Sequence, residues 1–288
     1  MTDDIDAQRL GNQGSDDKLI KYLTDVSAQI RLEIFESAIR VNKGHVPPAF
    51  SWVDLGVSLF LSGKTSISTD LRKGDMFLLS KGHGCLTYYS LLCRIGAFTQ
   101  EDLAQYLKPD HFLAGHPDPI IPGVPIVSGS LGHGLGIGAG VALGKKIRKD
   151  RDKVYVLLGD GELQEGSIWE AVIFAANQSL GNLIGIVDYN KFQATISVLE
   201  IGIRENIFEA IKQIGWEIVR IDGHSFIQIL NVLEYVNRRI ETKPLLIVAD
   251  TIKGKGVSFM EASKDWHHSL PKGDSIKLAI DQLKGHII

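Results

Sequence analysis

The stretch KVYVLLGDGELQEGSIWEAVIFAANQSLGNLIGIVDYNKF, residues 153–192, decides the fold. Val154 to Leu158 is a short apolar run cut off by Gly159-Asp160-Gly161, and Leu183 to Val187 is a second one cut off by Asp188-Tyr189-Asn190. Between them Trp169, Val172, Ile173 and Ala176 recur at three- and four-residue spacing, which puts them on one apolar helical face. Strand, glycine turn, helix and strand in this order predict two parallel strands joined by a crossover helix. The fold class that follows is α/β, a mostly parallel central sheet with helices on both faces.

In an open sheet of this kind the carboxyl ends of neighbouring strands form one crevice, so Asp160 and Asn190 are expected to face the same small volume. A carboxylate, an amide oxygen and the backbone carbonyl of Phe192 make three oxygen donors. That set suits a hard cation such as Mg²⁺, with water and the oxygens of a diphosphate completing its shell. Gly159 and Gly161 let backbone approach a phosphate closely, and the start of the following helix adds donors and a favourable dipole. Alone, GDG is more often an ordinary turn; the paired DYN after the next strand gives it weight.

GDG after one strand and DxN after the next, with the helix between, resembles the diphosphate-binding motif of thiamine diphosphate enzymes. Within that superfamily GDGELQEG, WEA and the later TIKGKG resemble transketolase, from about residue 30 to residue 268. The resemblance implies a thiamine diphosphate-binding fold, thiamine diphosphate and Mg²⁺ as cofactors, and a set of site residues. His83 in SKGHG matches the histidine that contacts the diphosphate, and His116 in GHPD falls near the reactive centre. In GSLGHG, Gly132 falls on the diphosphate side, and His133 stands where glutamine is common. His45, in Lys43-Gly44-His45, matches the histidine that reaches toward the reacting carbon. In Trp266-His267-His268-Ser269 the better match to the family's histidine-glycine pair is His267, with His268 in place of the glycine. The catalytic set implied is His45, His116, His133 and His267; the cofactor set is His83, Gly132, Gly161, Glu165, Asn190 and His267. Asp160, Asn190 and Phe192 hold the metal, and Glu165 and Glu170 resemble the glutamates of the dimer interface.

Plainer readings stand beside these. His45 is also placed to cap a helix end, and Glu165 to complement a helix dipole. Gly134, Gly136, Gly138, Gly140 and Gly144 are read as a small-residue helix packing closely on a neighbouring helix. His224 is read as a turn residue. Where the family continues with proline and small residues after its glycine-histidine pair, this chain has Val46-Pro47-Pro48-Ala49-Phe50, which predicts a bulkier wall near the substrate.

Along the chain, a long helix is expected over 17–41, stopped by Asn42-Lys43-Gly44 and the prolines beyond. Helices are expected over 52–61, 86–95 and 226–240, strands over 76–79, 216–221 and 244–249, and a loop over the site at 194–200. Residues 1–16 are polar and acidic and are expected to be mobile, leaving 17–288 as a single diphosphate-binding domain. With 288 residues, 44% hydrophobic and 23% charged, the chain has the material for a substantial core. A net charge of -3 with scattered cations gives no nucleic-acid surface. Cys85 and Cys93 form no CxxC pattern and are expected to be reduced core thiols. No apolar run approaches the length of a membrane span, the N-terminus is not signal-like, and a cytoplasmic protein is expected.

The family's pyrimidine-binding domain, which carries the glutamate that activates the cofactor, has no counterpart in this sequence. The expectation is the N-terminal subunit of a two-component transketolase, active only with a C-terminal transketolase-like subunit, the two forming an α₂β₂ complex. Its reaction would move a two-carbon ketol unit from a ketose to an aldose. One alternative is a specialised two-carbon or acyl transfer, for example to a carrier protein; another is a non-catalytic regulatory or assembly subunit. An ordinary nucleotide-binding protein is disfavoured, because the chain has no GKS or GKT P-loop and no GxGxxG at its first strand.

Overall fold

Apolar runs that change side at every residue form a sheet covered on both faces. The computed structural model describes residues 5–6, 17–193, 196–197, 206–239 and 242–285. Among these, the strands are β1 (Ile5–Asp6), β2 (Met76–Leu79), β3 (Val154–Gly159), β4 (Leu183–Tyr189), β5 (Phe192–Gln193), β6 (Ile196–Ser197), β7 (Glu217–Asp222) and β8 (Leu245–Asp250). Six of them form one parallel sheet in the order β1-β7-β8-β4-β3-β2, and β5 and β6 pair as a small antiparallel ribbon. The helices are α1 (Asp17–Val41), α2 (Val46–Phe50), α3 (Val53–Leu61), α4 (Cys85–Arg94), α5 (Gln100–Leu103), α6 (Gly134–Ile147), α7 (Gly166–Asn177), α8 (Asn206–Ile214), α9 (Phe226–Arg238) and α10 (Asp274–Lys284).

Strands β3 and β4 are buried along their whole length, as expected of parallel strands with helices on both faces. Val154, Val156 and Leu158 join α6, α7 and α8 in one core, while Tyr155 and Leu157 join α1, α3, α4 and α9 in the other. The period of two thus divides each strand between two hydrophobic layers. Helix α6 packs on the sheet as well as on α7. A Cβ at Gly138 would lie 2.5 Å from Val156 Cγ2, and one at Gly136 would lie 4.0 Å from Ala171 of α7.

Some expectations change in detail. Pro47 and Pro48 stand beyond the end of α1, as expected, and also open α2, because a fixed φ and a missing N–H cost nothing in a first helical turn. His45 is accordingly the residue before α2, with no side-chain capping bond, rather than a C-cap of α1. Ile5 and Asp6, within the segment expected to be mobile, pair in parallel with Val219 and Arg220 at the sheet edge. Within the expected loop over 194–200, Ile196 and Ser197 form β6, which pairs with β5 just before it; residues 194–195 and 198–200 lie outside the described residues. Cys85 and Cys93 are buried free thiols, and burial pushes Cys85 up to about 12. No helix among the described residues is long and apolar enough to cross a membrane.

Candidate active site

The carboxyl ends of β2, β3, β4 and β8 deliver Ser80-Lys81, Asp160, Asn190 and Thr251 to one edge of the sheet, with Gly159 in register with Asp188. A cavity of about 300 Å³ opens there. Its floor is Asp160, Gly161, Glu162, Asn190, Phe192 and Gln193, and its walls carry His83, His116, Lys253 and His267.

Asp160 is only 2% exposed, and its carboxylate accepts from the backbone N–H of Gly161 at 2.8 Å and of Lys191 at 2.5 Å. Among the described residues no cationic side chain forms an ion pair with it. Burial, reinforced by the nearby Asp188 carboxylate, pushes its pKa up to about 7. Asn190 Oδ1 accepts from the Phe192 N–H at 3.2 Å, across a turn in which Lys191 takes a left-handed φ of 70°. That conformation is uncommon for a residue with a side chain, and here it stands in the turn that leads from β4 to Phe192 and Gln193, both of which line the cavity. Gln193 Oε1 is buried without a hydrogen-bond partner. A buried carboxylate with no ion-pair partner among the described residues, beside an amide oxygen, fits a hard cation, which supplies the missing positive charge.

The loops that bring the histidines in are held by two buried charged groups to which the sequence reading gave no role. Glu162, 2% exposed, accepts from Gly132 N–H at 2.8 Å, from Gly159 N–H at 3.0 Å and from Ser80 Oγ. One carboxylate thereby fastens three loops, and burial raises its pKa despite those donors. Asp188 is fully buried against Lys81 Nζ, Thr251 Oγ1 and Ser51 Oγ, the last at 2.5 Å. Lys81 Nζ also donates to the Pro48 carbonyl at 3.0 Å, which ties α2 to the sheet edge. Their signal in the sequence is position alone: Glu162 follows GDG, and Lys81 precedes GHG.

Gly82 has no room for a side chain, since a Cβ would fall 2.0 Å from the Ser128 carbonyl oxygen. The adjacent His83 lines the cavity together with Ser128, Gly129 and Leu131. Four imidazoles converge there. Ring centroids of His45 lie 6.2 Å from His83, 5.9 Å from His116 and 5.7 Å from His267, and His83 lies 5.9 Å from His267. Burial lowers the pKa of each: His45 to about 4 and His267 to about 3, with His83 well below its ordinary value and His116 below it. The four rings are therefore neutral at neutral pH and offer both a donor and an acceptor nitrogen. Lys253, drawn down to about 8 by burial and by Lys81, holds its ammonium 5.3 Å from the Phe192 ring centroid.

Other expected site residues stand apart. Gly132 has a φ of 85° and points its N–H at Glu162 and its carbonyl at Ser167 Oγ, 2.9 Å away, so it shapes the loop behind the cavity. His133 is exposed at the start of α6, outside the histidine cluster. Glu165 and Glu170 are exposed on α7 and its preceding residue, away from the cavity lining. Of the wall at Val46 to Phe50 only Pro48 reaches the cavity; Val46, Ala49 and Phe50 are fully buried in the core, so their bulk does not narrow the site. His224, expected as a turn residue, also bridges elements: its Nδ1 is 2.7 Å from Asp54 Oδ2, and its Nε2 accepts from Ile252 N–H at 2.8 Å.

Comparison with known proteins adds to this geometry. The family profile "Transketolase, thiamine diphosphate binding domain" matches residues 24–285. The chain is 37% identical over 244 residues to one subunit of the apulose-4-phosphate transketolase of Actinobacillus succinogenes, covering 84% of this chain and 88% of that protein. It is 36% identical over 258 residues to a 6-deoxy-6-sulfo-D-fructose transketolase subunit of a Clostridium species, covering 88% of this chain and 94% of that one. Among solved structures, transketolase from Campylobacter jejuni superposes with a TM-score of 0.84 at 28% identity, over 91% of this chain and 42% of that one. The chain thus spans nearly the whole of the subunits it resembles and less than half of a full-length transketolase.

Proposed function

This chain belongs to the transketolase family, and from that premise we propose that it is the diphosphate-binding subunit of a two-chain transketolase that uses thiamine diphosphate and Mg²⁺. The observation that carries the reading is the buried Asp160 carboxylate, with no ion-pair partner among the described residues, beside Asn190 at the end of the sheet and facing a cavity ringed by neutral imidazoles. Asp160, Asn190 and the Phe192 carbonyl would hold the cation and, through it, the diphosphate. His83 and Gly161 would contact the diphosphate directly, as would Lys253. Bound there, thiamine diphosphate supplies a carbon nucleophile and an electron sink for breaking the bond beside a ketose carbonyl.

The chain's own work is orientation and proton transfer. His45, His116 and His267, kept neutral by burial, would each donate to a substrate oxygen through one nitrogen and accept a hydroxyl proton through the other. Their water-poor setting strengthens those bonds. The donor is proposed to be a ketose and the acceptor an aldose, in keeping with the sugars in the relatives' names. A separate chain with the pyrimidine-binding domain would complete the site in an α₂β₂ assembly in the cytoplasm. Glu165, Glu170 and His133 are assigned to the surface that meets another chain, next to exposed Ile137, Ile173 and Phe174.

The test is co-purification with candidate pyrimidine-domain proteins, then ketose cleavage with thiamine diphosphate and Mg²⁺. Activity is expected only with both chains, and Asp160→Ala should abolish it together with cofactor retention while leaving the complex intact. A complex that binds no cofactor, or an Asp160→Ala complex that retains full activity, would overturn the reading.

A further inference from the structure

A fifth histidine beside the cluster has no task in the proposed reaction. His268 is exposed, and its ring centroid lies 4.6 Å from that of His45 and 4.4 Å from that of His267. One ring nitrogen from each of His45, His267 and His268 can be chosen so that all three lie within 4.8 Å of one another. His267 is 8% exposed, yet its Nδ1 has no hydrogen-bond partner among the described residues. Buried imidazole nitrogens are normally paired, so this one is available to a ligand.

Three imidazoles with a fourth position open to solvent form a donor set suited to zinc. Around one tetrahedral zinc with bonds near 2.1 Å, the nitrogens sit about 3.4 Å apart. The three nitrogens therefore need to close by at most about 1.4 Å, a movement open to an exposed side chain such as His268 through its rotamers. Nitrogen donors favour Cu²⁺, Zn²⁺ and Ni²⁺ over Mg²⁺, so this cluster and the oxygen set at Asp160 and Asn190 select different ions. The burial that keeps His45 and His267 unprotonated leaves their lone pairs available.

We propose that His45, His267 and His268 form a binding site for a transition-metal ion of the Zn²⁺ class, separate from the hard-cation site. The ion joins the segment after β8 to the turn after α1. It also occupies two imidazoles assigned to the substrate, so metal and substrate exclude each other. That last consequence rests on the proposed function; the metal binding does not.

The test uses the full chain without thiamine diphosphate or sugar. After dialysis against Zn²⁺, one ion per chain is expected; Co²⁺ should give the visible absorption of a four-coordinate nitrogen site, bleached by Zn²⁺. The Tm should rise with Zn²⁺ concentration, as binding to the folded state requires. His268→Gly removes an exposed side chain, should leave the metal-free Tm unchanged, and should weaken Zn²⁺ binding at least tenfold; His268→Gln serves if the glycine variant does not fold. Absence of stoichiometric binding overturns the proposal, as does unchanged affinity in the His268 variants, which would place the ion elsewhere. Neither result touches the transketolase reading, because no cofactor or substrate enters the experiment.

Discussion

Asp160 works against the fold until a cation reaches it. Its folded pKa, about 7, lies above the unfolded value of 3.8, so the folded chain holds a proton that the unfolded chain has lost. The stability this group gives is present below the unfolded value and disappears as pH rises toward 7, a loss of at most about 4 kcal/mol. The histidines run the other way. His45 and His267 have folded values of about 4 and 3 against 6.5 unfolded, so their contribution is full above 6.5 and is lost as pH falls through that window. Comparing Asp160→Asn with the parent chain cancels the histidine part. In the cofactor-free chain the variant's urea midpoint, relative to wild type, should be clearly higher at pH 7.5 than at pH 5. An equal difference at both pH values would mean that Asp160 ionises normally in the fold. The same sign predicts that Mg²⁺ stabilises the wild-type chain more as pH rises.

Between elements, Glu162 is the member that connects most. Glu162→Ala leaves Ser80 Oγ and the N–H groups of Gly132 and Gly159 without their acceptor. A destabilisation of roughly 1 to 3 kcal/mol is expected, with Glu162→Gln recovering part of it, as read by thermal or urea unfolding. No loss in the alanine variant would mean that water replaces the carboxylate. This residue also marks where the sequence stops being legible. β3, β4 and the helix between them could be read because apolar runs end sharply at glycine, aspartate and asparagine. Asp160 and Asn190 could be placed together because parallel strands share an edge. Glu162, Lys81 and Asp188 could not, because an isolated Glu, Lys or Asp is surface material by default, and their burial depends on partners from loops distant in sequence. The prolines at 47 and 48 stand beyond the end of α1, as expected, and also open α2, a second role that the sequence did not declare, with Ala49 and Phe50 buried in the core behind them.

At the scale of the molecule, α6 and α7 present Ile137, Ile173 and Phe174 to solvent, each at least 40% exposed, beside Glu165 and Glu170. If this surface joins chains as proposed, Ile173→Glu with Phe174→Glu should lower the sedimentation coefficient of the two-component complex. The cofactor-free chain should keep its Tm, since neither side chain belongs to a core. An unchanged coefficient would exclude this face from the assembly. The three-way anchorage at Glu162 bears on motion as well as stability. Gly132 lies before α6 and Gly159 ends β3, yet their amide hydrogens rest on the two oxygens of one carboxylate. Neither should be released to solvent deuterium by fraying of its own segment; the two should exchange in step, through a single opening that frees both sides of the cavity at once.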